Sequence, residues 1–205
     1  MKSLLVATRN RGKEAEFRVL LAPLGMELLF PGAAGLPELP EEATLERYQT
    51  FVENARAKAE WFCHRSGLPT VADDSGVEVD ALGGAPGVCS RRFAGVDGPD
   101  HEVADANNAE LLKRLAGVEP ARRTARYRGV LVLCRPGLPE LVVEGVTEGV
   151  VAGAPRGANG FGYDPLFISS ELGRTFGEAS PAEKERVSHR ARATRALIAR
   201  LREEW

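Results

Sequence analysis

Two carboxylates stand side by side in this chain, Asp73 and Asp74, within VADDSGVEVDALGGAPGVCSRRFAG at residues 71–95. Adjacent ionised carboxylates repel, and a protein that keeps both charged near a cleft usually has a cation to hold. Consecutive strand residues face opposite ways, so one carboxylate should enter the site while its neighbour turns aside. Ser75-Gly76 reads as the bend that follows, with a hydroxyl and backbone N–H able to donate to phosphate. A hard divalent ion bound by one or two carboxylates plus phosphate oxygens is the usual magnesium arrangement, and such an ion can activate water. The competing reading is a pair that caps its own turn through Asx-type bonds. Phosphoaspartyl chemistry is excluded, because its two aspartates are one residue apart and share a strand face.

Four further segments carry suitable chemistry. Thr8-Arg9-Asn10-Arg11-Gly12-Lys13 leaves an apolar strand and enters a helix, whose free N–H groups point into the loop. Its hydroxyl, amide, glycine and ammonium suit phosphate, although the spacing is too short for a Walker A loop and a plain polar connection capped by Asn10 is equally consistent. Asn54 and Lys58 lie four apart on one helix face, just before the strand that ends in the acidic pair. Gly160-Phe161-Gly162-Tyr163-Asp164-Pro165 sets two aromatics on a glycine frame. A ring there could stack on a base and Asp164 accept from a base N–H, or the rings could simply be buried. Lys184, Ser188, His189 and Arg190 fall on the first turns of the last helix, Lys184 and Ser188 on one face.

The elements that must position these groups alternate strand and helix. Residues 3–7 read as a buried strand, 12–24 as a helix with Ala15, Val19 and Leu20 on its apolar side, and 27–30 as a short strand. Residues 31–49 form a long loop. Thr50 and Glu53 make a capping box for a helix reaching Ser66, ended by Gly67. Strands at 70–73 and 77–81 flank the acidic turn, and Asp100 caps a helix to Leu115. Strands at 126–134 and 141–151 form a hairpin across Pro136-Gly137, and a short strand covers 166–168. Ser180-Pro181-Ala182-Glu183 is a strong start signal for the last helix. The class is α/β: a mixed central sheet flanked by helices, one domain over residues 1–205, with two lobes and a central substrate cleft.

Composition narrows the partners. A net charge of −2 argues against broad nucleic-acid binding and for a small phosphorylated ligand met locally. Cys63, Cys89 and Cys134 show no C-x-x-C spacing and read as free thiols of a reducing cytoplasm. MKSLLVATRN looks like a first strand rather than a signal peptide, and no apolar run approaches the roughly 20 residues that span a bilayer. The chain reads as soluble and cytoplasmic.

With ATRNRGK, TFVENARAKA, the acidic segment, GFGYDPLF and EKERVSHR in this order, the chain resembles the inosine triphosphate pyrophosphatase family. The resemblance implies an elongated two-lobed α/β fold, usually homodimeric. It also implies Mg²⁺-dependent hydrolysis of ITP, dITP or XTP to monophosphate and pyrophosphate. Carried onto matching positions, it makes Asp74 the general base and a metal-associated carboxylate. Thr8 to Lys13, Lys58 and Ser75 become the triphosphate cradle. Phe161, Gly162, Tyr163, Asp164, Lys184, His189 and Arg190 become the base-recognition set. The family's second acidic metal ligand lies shortly before the Thr-Phe-x-Glu-Asn segment. A gapless match places it at Glu46, whereas an insertion would place it at Glu41 or Glu42. Rival readings are a nucleotide sensor without turnover and a pyrophosphatase for modified pyrimidine nucleotides.

Overall fold

The computed structural model describes residues 3–203; Met1 and Lys2, read above as the lead-in to the first strand, lie outside them, as do Glu204 and Trp205. The order is β1 (Ser3–Val6), α1 (Arg11–Leu20), β2 (Glu27–Leu29), α2 (Phe51–Ser66), β3 (Thr70–Val79) and α3 (Asp100–Arg114). There follow β4 (Thr124–Arg135), β5 (Leu138–Val151), β6 (Phe167–Ser169), α4 (Pro181–Val187) and α5 (His189–Glu203). The strands form one mixed sheet in the order β2-β1-β3-β4-β5-β6. β1 is parallel to β2, Ser3 opposite Glu27, and to β3, Leu5 opposite Thr70. β6 is antiparallel to β5, Gly149 opposite Ser169. This is the α/β mixed-sheet class that the alternating pattern predicts.

Local chemistry sets most element ends. The Thr50 hydroxyl accepts from the Glu53 N–H at the head of α2, and Gly67 ends that helix at φ 68°, where a side chain would be strained. Ser180 and Glu183 cap each other's backbone N–H groups at α4, with Pro181 in the first turn.

Four details differ from the sequence reading. α1 stops at Leu20, because Pro23 cannot continue it and residues 22–24 form a 3-10 turn. Its buried side is Phe17 with Leu21, four residues on, while Ala15 and Val19 face outward. Asp100 is the first residue of α3, and Pro99 occupies the cap position. β3 runs unbroken through Asp73-Asp74-Ser75-Gly76, so no bend follows the acidic pair. Gly76 serves close packing instead: a Cβ there would stand 2.3 Å from the Gly87 carbonyl oxygen and 2.4 Å from Ser90 Oγ.

The fourth difference concerns the last helix, which is two helices joined at Ser188. The Ser188 N–H closes α4 on the Lys184 carbonyl at 2.8 Å, and its own backbone is extended at φ −67°, ψ 152°. Thr147 Oγ1 donates to the Val187 carbonyl at 2.7 Å, occupying an oxygen that a continued helix would offer to its own backbone. Lys184 and His189 therefore belong to different helices.

The chain divides into two compact units, each with its own core. The first comprises Met1–Asp74, Gly129–Gly145 and Arg190–Trp205. Its core includes Leu4, Val6, Phe17, Leu21, Val71, Leu131 and Leu197. The second comprises Ser75–Arg128 and Val146–His189, built around Val77, Val79, Leu111, Tyr127, Tyr163, Phe167 and Phe176. Among the described residues no helix is long and apolar enough to cross a membrane.

Candidate active site

In the first unit, charges of alternating sign gather on β3. The Asp73 carboxylate receives Lys13 Nζ from α1 at 2.9 Å and Arg190 Nη2 from α5 at 3.0 Å. Arg190 Nη1 also donates to Glu16 at 2.5 Å. Burial opposes the charge on Asp73, but Lys13, Arg190 and Lys58 outweigh it and hold the carboxyl far below the usual range. The Arg190 guanidinium, equally buried, is pushed above its ordinary value by Asp73 and Glu16. The sequence reading gives Arg190 to base recognition; in the structure its guanidinium is engaged by two carboxylates, those of Asp73 and Glu16.

Asp74, the next residue, projects from the other side of β3. Its Oδ2 accepts from Asn54 Nδ2 at 2.9 Å, and Lys58 Nζ stands 4.0 Å from Oδ1. Lys58 also donates to the Asp73 main-chain carbonyl at 2.5 Å and to the Glu46 carboxylate. Burial raises the Asp74 carboxyl above its ordinary value; Lys58 pulls it partly back and Glu46 adds to the rise. Glu46 is held low, chiefly by Lys58. Lys58 itself is buried, yet Glu46, Asp74 and Asp73 outweigh that burial and keep it protonated.

Of the three candidate glutamates, Glu46 is therefore the one whose charge acts on Asp74. Glu42 instead pairs with Arg9 through two bonds of 2.7 and 2.8 Å and accepts from the Leu39 N–H, while Glu41 is exposed. No group of three His, Cys, Asp or Glu side chains able to hold a metal occurs among the described residues. Carboxylates are the donor type that a hard divalent ion takes together with phosphate oxygens and water, and here Lys58 Nζ faces both Glu46 and Asp74.

The segment Thr8 to Lys13 divides in two. Thr8 Oγ1 accepts from the Asn10 N–H at 3.2 Å, and Asn10 caps α1 by accepting from the Lys13 N–H at 2.9 Å. Lys13 reaches Asp73, Gly12 is half-buried and Arg11 is exposed. The Arg9 guanidinium ties down the 3-10 turn at residues 40–44 through Glu42.

The second unit holds the remaining predicted residues. Ser75 is half-buried on β3. The Phe161 ring is half-exposed, with Lys184 Nζ 4.8 Å from its centroid. Lys184 donates to Asp164 Oδ2 at 2.5 Å, and the Phe161 N–H donates to the same oxygen at 2.8 Å. Asp164 is 1 % exposed and clamps its own loop. The clamp explains Gly160, where a Cβ would lie 2.0 Å from Asp164 Oδ2. The Tyr163 ring is buried in the core and its hydroxyl donates to the Ser90 carbonyl at 2.9 Å, with burial raising the phenol. Gly162 offers its carbonyl to Asn108 Nδ2 at 3.0 Å. The His189 imidazole lies flat on the Tyr127 ring, centroids 4.7 Å apart and planes 10° apart.

Sequence reasoning missed Glu16 and Tyr127 and left Asn54 out of the site. Asn54 was detectable, being four residues before Lys58 on the same helix face. Glu16 and Tyr127 had no local signal, since their partners lie 174 and 37 residues away along the chain.

Comparison with known proteins follows the same outline. The Ham1 family model matches residues 4–200. The chain is 45% identical over 205 residues to the dITP/XTP pyrophosphatase of Geobacillus kaustophilus (strain HTA426), covering 100% of this chain and 95% of that protein. It is 48% identical over 204 residues to the dITP/XTP pyrophosphatase of Ralstonia nicotianae (strain ATCC BAA-1114 / GMI1000), covering 98% of each. Among solved structures, a HAM1 protein from Coxiella burnetii aligns with TM-score 0.84 and 36% identity, over 99% of this chain and 100% of that one.

Proposed function

The chain belongs to the Ham1 family, and from that premise we propose that it is a nucleoside-triphosphate pyrophosphatase acting on dITP, ITP and XTP. The products are the nucleoside monophosphate and pyrophosphate. The observation that carries this reading is the environment of Asp74: a buried carboxyl raised above its ordinary value, with Lys58 and Glu46 beside it. A base poised above the usual carboxylate range accepts a proton more readily than an exposed aspartate.

The first unit supplies the groups for the phosphates. Asp74 takes the proton of the water that attacks the α-phosphorus, and the Asn54 amide fixes the orientation of its carboxylate. Lys13 and Lys58 offset the negative charge that builds on the phosphates, and Thr8 with the head of α1 offers hydrogen-bond donors. Asp74 and Glu46 would hold Mg²⁺, which when bound neutralises triphosphate charge and makes water more acidic.

The second unit supplies donors for the base. A 6-keto purine offers an acceptor where adenine offers a donor, so protonated or N–H donors around Lys184 and His189 favour hypoxanthine and xanthine. Adenine would leave such donors unpaired, which is costly. A homodimer in the cytoplasm belongs to the same proposal, and sedimentation equilibrium giving a monomer mass would remove the dimer from it.

The test is a panel of triphosphates with Mg²⁺ and chromatographic identification of products. Monophosphate and pyrophosphate from dITP, ITP and XTP with dATP spared is the expected result. Release of orthophosphate, or preference for a pyrimidine nucleotide, defeats the proposal. Binding without turnover would favour the sensor reading.

A further inference from the structure

We infer that Tyr127 is a positioning residue for purine discrimination, acting through His189 and Asp164 rather than by touching the substrate. The inference rests on the base-recognition role proposed for the second unit. Tyr127 lies in the middle of that unit, on β4, and is 8% exposed. Its ring covers one face of the His189 imidazole at 4.7 Å and 10°. The same ring meets Phe167 edge-on at 4.7 Å and stacks near Phe176 at 6.0 Å, so it cannot tilt without displacing two core aromatics. Its hydroxyl donates to Asp164 Oδ1 at 3.3 Å, while Lys184 and the Phe161 N–H occupy Oδ2.

One side chain thereby touches both arms of the proposed base-recognition set. The stack fixes the plane of the His189 ring, and hence the direction of its N–H vectors. The hydroxyl completes the coordination of the carboxylate that holds Lys184 and the Phe161 loop. A hydrogen bond selects a keto oxygen over an amino group only if its donor is held in place, so orientation is where discrimination is gained or lost. The two functions separate chemically: phenylalanine keeps the stack and removes the hydroxyl, whereas leucine removes both.

The test uses Tyr127→Phe and Tyr127→Leu, each with melting checked first. Hydrolysis of dITP and dATP is measured, together with the His189 ring-proton signals by NMR. The chain has only 3 histidines, which makes assignment tractable. In the wild type, ring current from Tyr127 should shift the His189 protons upfield. Tyr127→Phe should keep that shift and a dITP-to-dATP ratio of kcat/KM within about twofold of wild type, with a higher KM for dITP. Tyr127→Leu should lose the shift and about tenfold in the ratio, mostly through KM. A folded Tyr127→Leu with the wild-type ratio overturns the inference, and so does Tyr127→Phe with an unchanged KM for dITP, a result that stands even if the leucine variant does not fold. If wild-type protein does not turn over dITP, the functional reading fails, and the His189 shift alone decides whether Tyr127 orients that ring.

Discussion

Asp73 and Asp74 are covalent neighbours with opposite electrostatic fates. Asp73 is locked in its ionised form between Lys13 and Arg190, while the Asp74 carboxyl is raised by burial and bonded to the neutral Asn54 amide. Strand alternation sends the two side chains into different surroundings 1 residue apart. One carboxylate organises cations; the other is left basic enough to accept a proton.

Asp74→Asn should lower turnover of dITP by roughly 10²–10⁴-fold, the range for loss of a general base. An asparagine oxygen can still accept from Asn54 Nδ2, so melting should stay within a few degrees of wild type. Steady-state kinetics beside thermal unfolding checks both halves, and near-normal turnover removes Asp74 from the mechanism.

The pH dependence has a defined sign. A base works only when deprotonated, and the Asp74 carboxyl lies above its ordinary value, so the acidic limb of kcat/KM should fall above that of a free aspartate. Lys58 pulls the carboxyl down and Glu46 pushes it up. Lys58→Gln should therefore move the limb to higher pH and Glu46→Gln to lower pH. Shifts in the same direction for both variants would contradict the assigned roles.

Metal dependence separates the glutamates. Chelation by EDTA should abolish activity, and Glu46→Gln should raise the Mg²⁺ concentration needed for half-maximal rate by about tenfold or more. Glu42→Gln loosens the Arg9 tether but should leave that concentration unchanged. The opposite pattern would shift the metal assignment to Glu42.

Asp73→Asn should cost about 3–5 kcal/mol in urea unfolding at neutral pH, because it leaves the cations of a buried ion-pair network uncompensated. The folded-state carboxyl is depressed, so its stabilisation is present above the unfolded pKa and lost as pH falls. The difference between wild type and variant should accordingly shrink under strongly acidic conditions. A gap that does not change with pH would mean that the effect is packing, not charge.

Much of the architecture was legible in the sequence because it is encoded locally. The capping residues Thr50 and Ser180, the terminating Gly67 and the Pro136-Gly137 turn all act within a few positions of the elements they define. Asn54 and Lys58 share a helix face just before the strand of the acidic pair, a pattern readable in the sequence, whereas the resemblance left the second acidic residue open among Glu46, Glu41 and Glu42. What could not be read was long-range. Nothing in the sequence signals that Asp73 and Glu16 hold Arg190, or that the Tyr163 ring packs in the core. The bend assigned to Ser75-Gly76 failed for the same reason, since Gly76 answers to Gly87 and Ser90, which approach it from elsewhere in the chain.

The Asn54 side chain, fully buried, accepts from the Tyr48 N–H at 2.9 Å and also donates to Asp74 Oδ2 at 2.9 Å. A single carboxamide thus gauges the distance between the stretch that carries Glu46 and the carboxylate on β3.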